Sequence, residues 1–327
     1  MTVVNGVLPL VKPGGMTSHD VVICVRKILG MKRVGHTGTL DPDAEGVLII
    51  LLGKATRLMQ FMVTLPKTYV AEIIIGITTD TLDASGKIIS KAKGIEIPKK
   101  RFLEALSYFQ GEIQQIPPMV SAVHYKGQRL YELARKGLEA ERKPRKVCIY
   151  KTSIQEWPKR DTLILGDRIS ILVECSSGTY VRQLAADIGD YLGCGAHIGS
   201  LFRTKVGDFD ISLCHTLEEI KDASSKKEID TKILPMINGL SHLPIIILSE
   251  EDLDLKRRLC NGNPYPINKL PKIIKKDGAM QVSDWDFISV VDSSYRLICV
   301  ARRQIIKDVD CIQPVSVFMD ALDMEVI

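Results

Sequence analysis

Between Thr17 and Gly30 the apolar residues Val21, Val22, Val25, Ile28 and Leu29 recur at helical spacing. With Thr17 as a capping hydroxyl, Asp20 three residues on and Gly30 as a stop, this pattern predicts a helix. The unbroken apolar run Val47–Leu52 predicts a strand buried on both sides. Tyr69–Ile75 predicts a second strand, with Tyr69, Ala71, Ile73 and Ile75 on one face. A third alternates Ile169, Ile171, Val173 and Cys175, then passes through Ser176-Ser177-Gly178 into a helix with an apolar stripe of Val181, Leu184, Ala185, Ile188 and Leu192. Thr179 is the expected cap of that helix and Gly193 its end. Strands and helices alternate irregularly, which favours an α+β mixed sheet over a doubly wound parallel one.

The pattern changes toward the C-terminus. A lysine-rich stretch, Lys221–Lys232, precedes a connection punctuated by Pro235, Gly239 and Pro244. Beyond it come a strand at Ile245–Leu248, a helix capped by Ser249 and Asp252 and stopped near Gly262, and a hairpin joining Phe287–Val291 to Tyr295–Ala301. These predict a catalytic-sized domain over 1–240 and a small β-barrel over 241–327, each with its own core.

A chain of 327 residues, 45% hydrophobic and 25% charged, is long enough for one to three such domains. Its apolar runs are far shorter than the ~20 residues of a membrane span. The N-terminus has no secretory pattern, so a cytoplasmic protein without membrane attachment is expected. The eight cysteines are scattered with no CxxC pair, which points to reduced thiols and to neither a zinc site nor a disulfide framework. A net charge of +5 is only mildly basic, but its distribution is uneven. Lys126, Arg129, Arg135, Lys136, Arg142, Lys143, Arg145 and Lys146 stand against Glu132, Glu139 and Glu141, so this one segment carries 8 − 3 = +5. Such a run is either a solvated helix face or a phosphate-binding surface, and the interleaved Tyr125 and Tyr131 offer faces on which bases can stack.

The densest cluster of special residues is Gly35-His36-Thr37-Gly38-Thr39-Leu40-Asp41-Pro42-Asp43-Ala44-Glu45-Gly46, a constrained loop that fits neither phosphate-loop pattern. By itself Asp41-Pro42 reads equally as a turn initiator, and His36 as a hydrogen-bonded loop residue. Arg182 stands out because it falls in the first turn of its helix, where the macrodipole disfavours a cation by about 0.3–1 kcal/mol. A carboxylate partner would offset that cost, and an exposed arginine would tolerate it.

Taken in order, Lys12-Pro13-x-Gly15-x-Thr17-Ser18, the His36–Pro42 loop with Gly46-Val47-Leu48, Lys67-x-Tyr69, Thr79-Asp80-Thr81-x-Asp83-x-x-Gly86, Pro117-Pro118-x-x-Ser121-Ala122 with Tyr131 and Ala134-Arg135, and Cys175-Ser176-x-Gly178-Thr179-Tyr180-Val181-Arg182 resemble the motifs of the TruB tRNA pseudouridine synthases. The resemblance covers about residues 6–210. It implies a mixed-sheet pseudouridine synthase core with an RNA-binding insertion at about 97–146, acting on the tRNA T-arm at the uridine numbered 55. The C-terminal unit would be a PUA-like RNA-binding domain. Asp41 would be the catalytic nucleophile or base, Tyr69 the ring stacked on a flipped uracil, and Arg182 the ion-pair partner of Asp41, shared with Asp83. His36 would fill the space that the base vacates, and Lys12 and Leu201 would support the site. Tyr180, Arg142, Lys143, Arg145 and Lys146 would contact substrate. Isomerisation exchanges a C1′–N1 bond for a C1′–C5 bond without net redox change, so neither cofactor nor metal is expected. Whether Asp41 attacks the ring, attacks C1′ or supports a glycal stays open. The insertion favours a stand-alone monomer over a guide-RNA-dependent synthase, and the intact triad of Asp41, Tyr69 and Arg182 argues against a non-catalytic tRNA-folding factor. A small-molecule enzyme is the remaining alternative.

Overall fold

A computed structural model describes residues 4–119, 121, 124–125, 128–129, 138, 140–271, 273–274 and 285–319. Lys126, Tyr131, Arg135 and Lys136 lie outside them. Tyr125 and Arg129 are described only as members of a two-stranded ladder, His124–Tyr125 with Gln128–Arg129.

The frame is a mixed sheet. Its strands are β1 (Gly6–Lys12), β2 (Val34–His36), β3 (Glu45–Leu52), β4 (Lys67–Ile75), β5 (Gly111–Gln115), β6 (Arg145–Glu156), β7 (Arg168–Cys175) and β8 (Ala196–Val206). They run in the order β1-β3-β8-β4-β7-β6-β5, with β2 on β3, and only β3 and β8 pair in parallel. From Val47 to Leu52 β3 is apolar because both its faces are covered. Leu48, Ile50 and Leu52 meet helix α1 (Ser18–Leu29), whereas Val47, Ile49 and Leu51 face the opposite core. At the other half of the sheet, Tyr69, Ala71, Ile73 and Ile75 of β4 join Ile169, Ile171 and Val173 of β7 beneath α2 (Lys99–Tyr108) and α3 (Val181–Leu192).

The caps of α1 are as its sequence suggests. The Thr17 side chain accepts from the Asp20 amide, Asp20 accepts from the Thr17 amide, and Gly30 closes the helix in the left-handed region at φ 63°. The cap of α3 is not Thr179. The helix starts one residue later, with Tyr180 at its N-cap and no side-chain cap hydrogen bond. Gln115 of β5 instead pins the backbone at this start, its side chain accepting from Tyr180 N at 2.7 Å and donating to Tyr180 O at 3.0 Å. Gly193 ends α3 at φ 77° as expected.

The segment from 97 to 146 is not wholly an appendage, since β5 and the first residues of β6 belong to the central sheet, Arg145 pairing with Gln115 and Lys146 with Gln114. After α4 (Leu217–Ser225), the C-terminal part contributes β9 (Ile245–Leu248), α5 (Leu253–Cys260), β10 (Phe287–Asp292), β11 (Leu297–Ile306) and β12 (Val309–Val317). With Tyr265–Pro266 and Ile273–Ile274 at its ends, this PUA-like sheet is a curled half-barrel in linear order, and no pairing among the described residues closes it. The expected separation of cores does not hold. Ile288, Val290 and Ile298 pack under α5 in a core of the unit's own, but Val291, Leu297, Val300 and Phe318 share a core with Val47, Ile49, Leu51, Phe61 and Met62. Phe61 and Phe287 meet edge to face at 5.2 Å, and Arg57 donates to the Val317 carbonyl at 2.6 Å. Alternation on a curled sheet gives two apolar faces, and one of them packs against the 57–61 segment after β3 and joins the core that also holds Val47, Ile49 and Leu51.

Candidate active site

The loop between β2 and β3 carries Asp41, and its backbone is held from three sides. Ser18, at the start of α1, donates to the Leu40 carbonyl at 3.2 Å and accepts from the Leu40 amide at 2.9 Å. The Lys12 ammonium, fully buried, donates to the carbonyls of Pro13, Met16 and Pro42 at 2.8, 2.6 and 2.8 Å. Arg203 of β8 donates through Nε to Val47 O at 2.7 Å and through Nη2 to Gly38 O at 3.1 Å. Buried carbonyls need donors, and here cations supply them. Gly46 is required where the loop enters β3: at φ 104° a Cβ would stand 2.2 Å from the Arg203 carbonyl oxygen.

Arg182 has the carboxylate partners that its place in the first turn of α3 calls for. Nε lies 2.9 Å from Asp41 Oδ2, and Nη1 lies 3.0 Å from both Asp83 Oδ2 and Thr81 O. The guanidinium side chain is 4% exposed, so the fork is desolvated on its own side, whereas that of Asp41 is 39% exposed and opens to the cavity. Asp83 is itself fixed, its other oxygen accepting from Thr81 Oγ1 and Ser85 Oγ at 2.6 Å each. The strained Leu82 (φ 64°) anchors this turn by accepting from Ile198 N at 3.0 Å.

Asp41, Tyr69, Tyr180, Arg182, Leu201 and Arg145 line one cavity of 640 Å³, with Arg203, Lys67 and the 176–179 turn completing its walls. A second cavity of 390 Å³ shares Asp41, Arg182 and Leu201 and adds Asp83 and Ser85. Burial holds the Asp41 carboxyl above its ordinary value, Asp83 adds to the rise, and Arg182 opposes both. Desolvation is the larger effect, so the net direction is upward although Arg182 lowers this group. Burial likewise raises the Tyr69 phenol, against the charge and a hydrogen bond of Arg203, and raises the Tyr180 phenol. It brings the Lys67 ammonium down to about 8, in the company of Arg203, while Lys67 donates to Val63 O at 2.7 Å.

Other predicted site residues lie elsewhere. Lys12 is sealed behind the loop and lines neither cavity, so it supports the site without reaching a substrate. His36 pairs with Ile50 in the β2–β3 ladder and also lines neither cavity; burial lowers its imidazole, and its Nδ1 has no hydrogen-bond partner among the described residues. Lys143 and Lys146 are exposed along the β5–β6 edge, Lys146 lying 3.5 Å from Glu112, and Arg142 donates to Pro117 O at 3.2 Å. Two cavity cations drew no attention as charges in the sequence. Lys67 appears there only as a motif residue, and Arg203 not at all. The one signal for Arg203 was a charge within an otherwise strand-like stretch of β8. Among the described residues no group of three or more His, Cys, Asp or Glu is arranged to hold a metal, and no helix is long and apolar enough to cross a membrane.

Comparison with known proteins matches residues 26–181 to the profile of the TruB family pseudouridylate synthase (N terminal domain) and residues 182–241 to that of the tRNA pseudouridylate synthase B C-terminal domain. The chain is similar to tRNA pseudouridine synthase B of Moorella thermoacetica, 46% identical over 260 residues that cover 79% of this chain and 83% of the relative. It is also similar to the protein of that name from Caldanaerobacter subterraneus subsp. tengcongensis, 49% identical over 223 residues covering 68% and 76%. Among solved structures, a Cbf5-Nop10-Gar1 complex contains a chain superposing with a TM-score of 0.74 at 26% identity, over 98% of this chain and 86% of that one.

Proposed function

Since the chain belongs to the TruB family of pseudouridylate synthases, we propose that it is a stand-alone enzyme converting uridine 55 of the tRNA T-loop to pseudouridine, with Asp41 as its catalytic carboxylate. The observation that carries this reading is the placement of Asp41: a carboxylate clamped at 2.9 Å by a buried guanidinium, partly open to a cavity walled by Tyr69. A uridine stacked in RNA hides C1′, N1 and C5, so the base must leave the stack at a cost of a few kcal/mol. The 640 Å³ cavity is large enough for one nucleotide, and the Tyr69 ring offers the stacking face that offsets part of that cost. Arg182 and Asp83 hold the carboxylate in one orientation, and Tyr180 and Leu201 bound the space in which the uracil detaches, turns and rejoins through C5. Arg145, at the cavity, and Arg142, Lys143 and Lys146, along the same edge, supply cations for tRNA phosphates.

The relatives above are named as tRNA enzymes and support action without a guide, whereas the solved structure cited above is of a multi-protein complex. Incubating the pure protein with an unmodified tRNA transcript and mapping pseudouridine tests the choice. New pseudouridine in the T-loop without any added RNA is expected; none there would refute the reading. Asp41→Asn should abolish the modification and leave tRNA affinity within a few-fold, since the carboxylate supplies chemistry and little docking. Substantial turnover by that variant would move the catalytic role to another residue.

A further inference from the structure

Resting on the function proposed above, we infer that Arg203 is a positioning residue of the reaction, a second buried guanidinium that holds the Asp41 loop and the Tyr69 ring in one mutual geometry. Arg203 is only 2% exposed and sits where three strands meet. In the parallel β3–β8 ladder it is opposite Gly46, the residue through which the Asp41 loop enters β3, and in the antiparallel β8–β4 ladder it is opposite Tyr69. Its fork reaches both ends of the loop. Nη2 and Nη1 lie 3.1 and 3.5 Å from the carbonyls of Gly38 and Thr39, just before Asp41, and Nε lies 2.7 Å from Val47 O, just after it. Its charge also acts on the Tyr69 phenol opposite it in that ladder. One side chain is therefore placed against both structures that must face the uracil from different strands.

Its electrostatic setting supports the same reading. Arg182 is flanked by two carboxylates, whereas Arg203 has no carboxylate within ion-pair distance among the described residues. A buried cation compensated only by carbonyl dipoles is an expensive way to join strands, and an apolar side chain of similar volume would pack there at less cost. Its retention is accounted for by what the guanidinium does for the loop: three inward-turned carbonyls receive donors from a planar fork, which fixes direction as well as distance. A lysine at this position has one nitrogen from which to reach both ends.

The test compares wild type, Arg203→Lys and Gly46→Ala in single-turnover assays at saturating enzyme, with tRNA affinity and the pH profile measured on each. Gly46→Ala reaches the same joint from the other side, because its Cβ would press on the Arg203 carbonyl oxygen at 2.2 Å. Misplacement of reacting groups by about 1 Å can cost 100-fold, so a fall of roughly 10- to 100-fold in rate is expected, with affinity within a few-fold. The acid limb of the rate should also move to higher pH, since a displaced Asp41 loses part of the influence of Arg182; a purely structural defect would lower thermal stability and leave that limb in place. A wild-type protein that forms no pseudouridine would fail the proposed function itself. With an active wild type, an Arg203→Lys variant with unchanged rate and limb overturns the positioning role, and so does a loss confined to tRNA affinity. Failure of both variants to fold would assign Arg203 to folding alone and likewise overturn it.

Discussion

Replacing Arg182 by lysine keeps the charge and removes the fork. The native guanidinium serves three groups along two directions, in ion-pair contact with Asp41 Oδ2 through Nε at 2.9 Å and donating to Asp83 Oδ2 and Thr81 O through Nη1 at 3.0 Å each. An ammonium donates from a single nitrogen and cannot reproduce both arms, so at least one charge-assisted hydrogen bond is lost. Such a bond contributes about 1.5–3 kcal/mol. The Asp83 arm, between side chains 4% and 21% exposed, takes the upper part of that range, and the Asp41 arm, open to solvent on the carboxylate side, takes the lower part. If the lost term acts on the transition state, the single-turnover rate falls roughly 10- to 150-fold, at about 1.36 kcal/mol per factor of ten. Joining C5 to C1′ displaces the hydrogen on C5, so tritium release from tRNA labelled at C5 of uridine reports the step directly. Affinity, measured separately, should stay within a few-fold because Arg182 is too buried to dock RNA. A rate within about twofold of wild type would refute the view that the two-armed geometry, beyond its charge, orients Asp41.

The pH profile supplies a second prediction. Because burial raises the Asp41 carboxyl and Arg182 only partly opposes this, the ionised form is lost as pH falls through a value above that of an ordinary aspartate, and the acid limb should lie there; a limb at or below the ordinary aspartate value would contradict the assignment. Truncation before Leu243 should destabilise the catalytic part, since it removes Val291, Leu297, Val300 and Phe318 from the shared core, at about 1.5–3 kcal/mol each, or roughly 6–12 kcal/mol, as large as a typical domain's whole stability. Thermal unfolding checks this, and a truncated protein as stable as the full chain would show that the shared face is dispensable. Replacing Arg142, Lys143 and Lys146 by Ala should weaken tRNA binding and flatten its log–log salt slope by roughly 0.7–0.9 per lost phosphate contact, with little change in single-turnover rate. Adding Arg145→Ala should lower the rate as well, because that side chain lines the cavity; an unaltered slope in the triple variant would return the segment to a solvated charged face.

Local spacing determined much of this protein. The stripe of α3, the alternation of β4 and β7, the unbroken β3 and the Thr17–Asp20 box of α1 are properties of neighbouring residues, and periodicity reports them before any fold exists. The ordered motifs also identified Asp41, Tyr69 and Arg182 as a set. What only the tertiary structure decided are relations between distant segments. Tyr180 rather than Thr179 is the N-cap of α3, its backbone pinned by Gln115 because β5 ends beside it. Arg203 reaches Val47 across 156 residues of chain, and nothing near it in sequence marks a charge that will be buried against loop carbonyls. The two apolar faces of the C-terminal sheet look alike as alternating residues, yet one of them joins the core of Phe61, Met62 and the inner face of β3, which ties together parts that composition separates. The direction in which Asp41 titrates has the same origin: the family resemblance implies a guanidinium partner, but how much water the carboxylate loses depends on which walls close around it, and that is set only by packing.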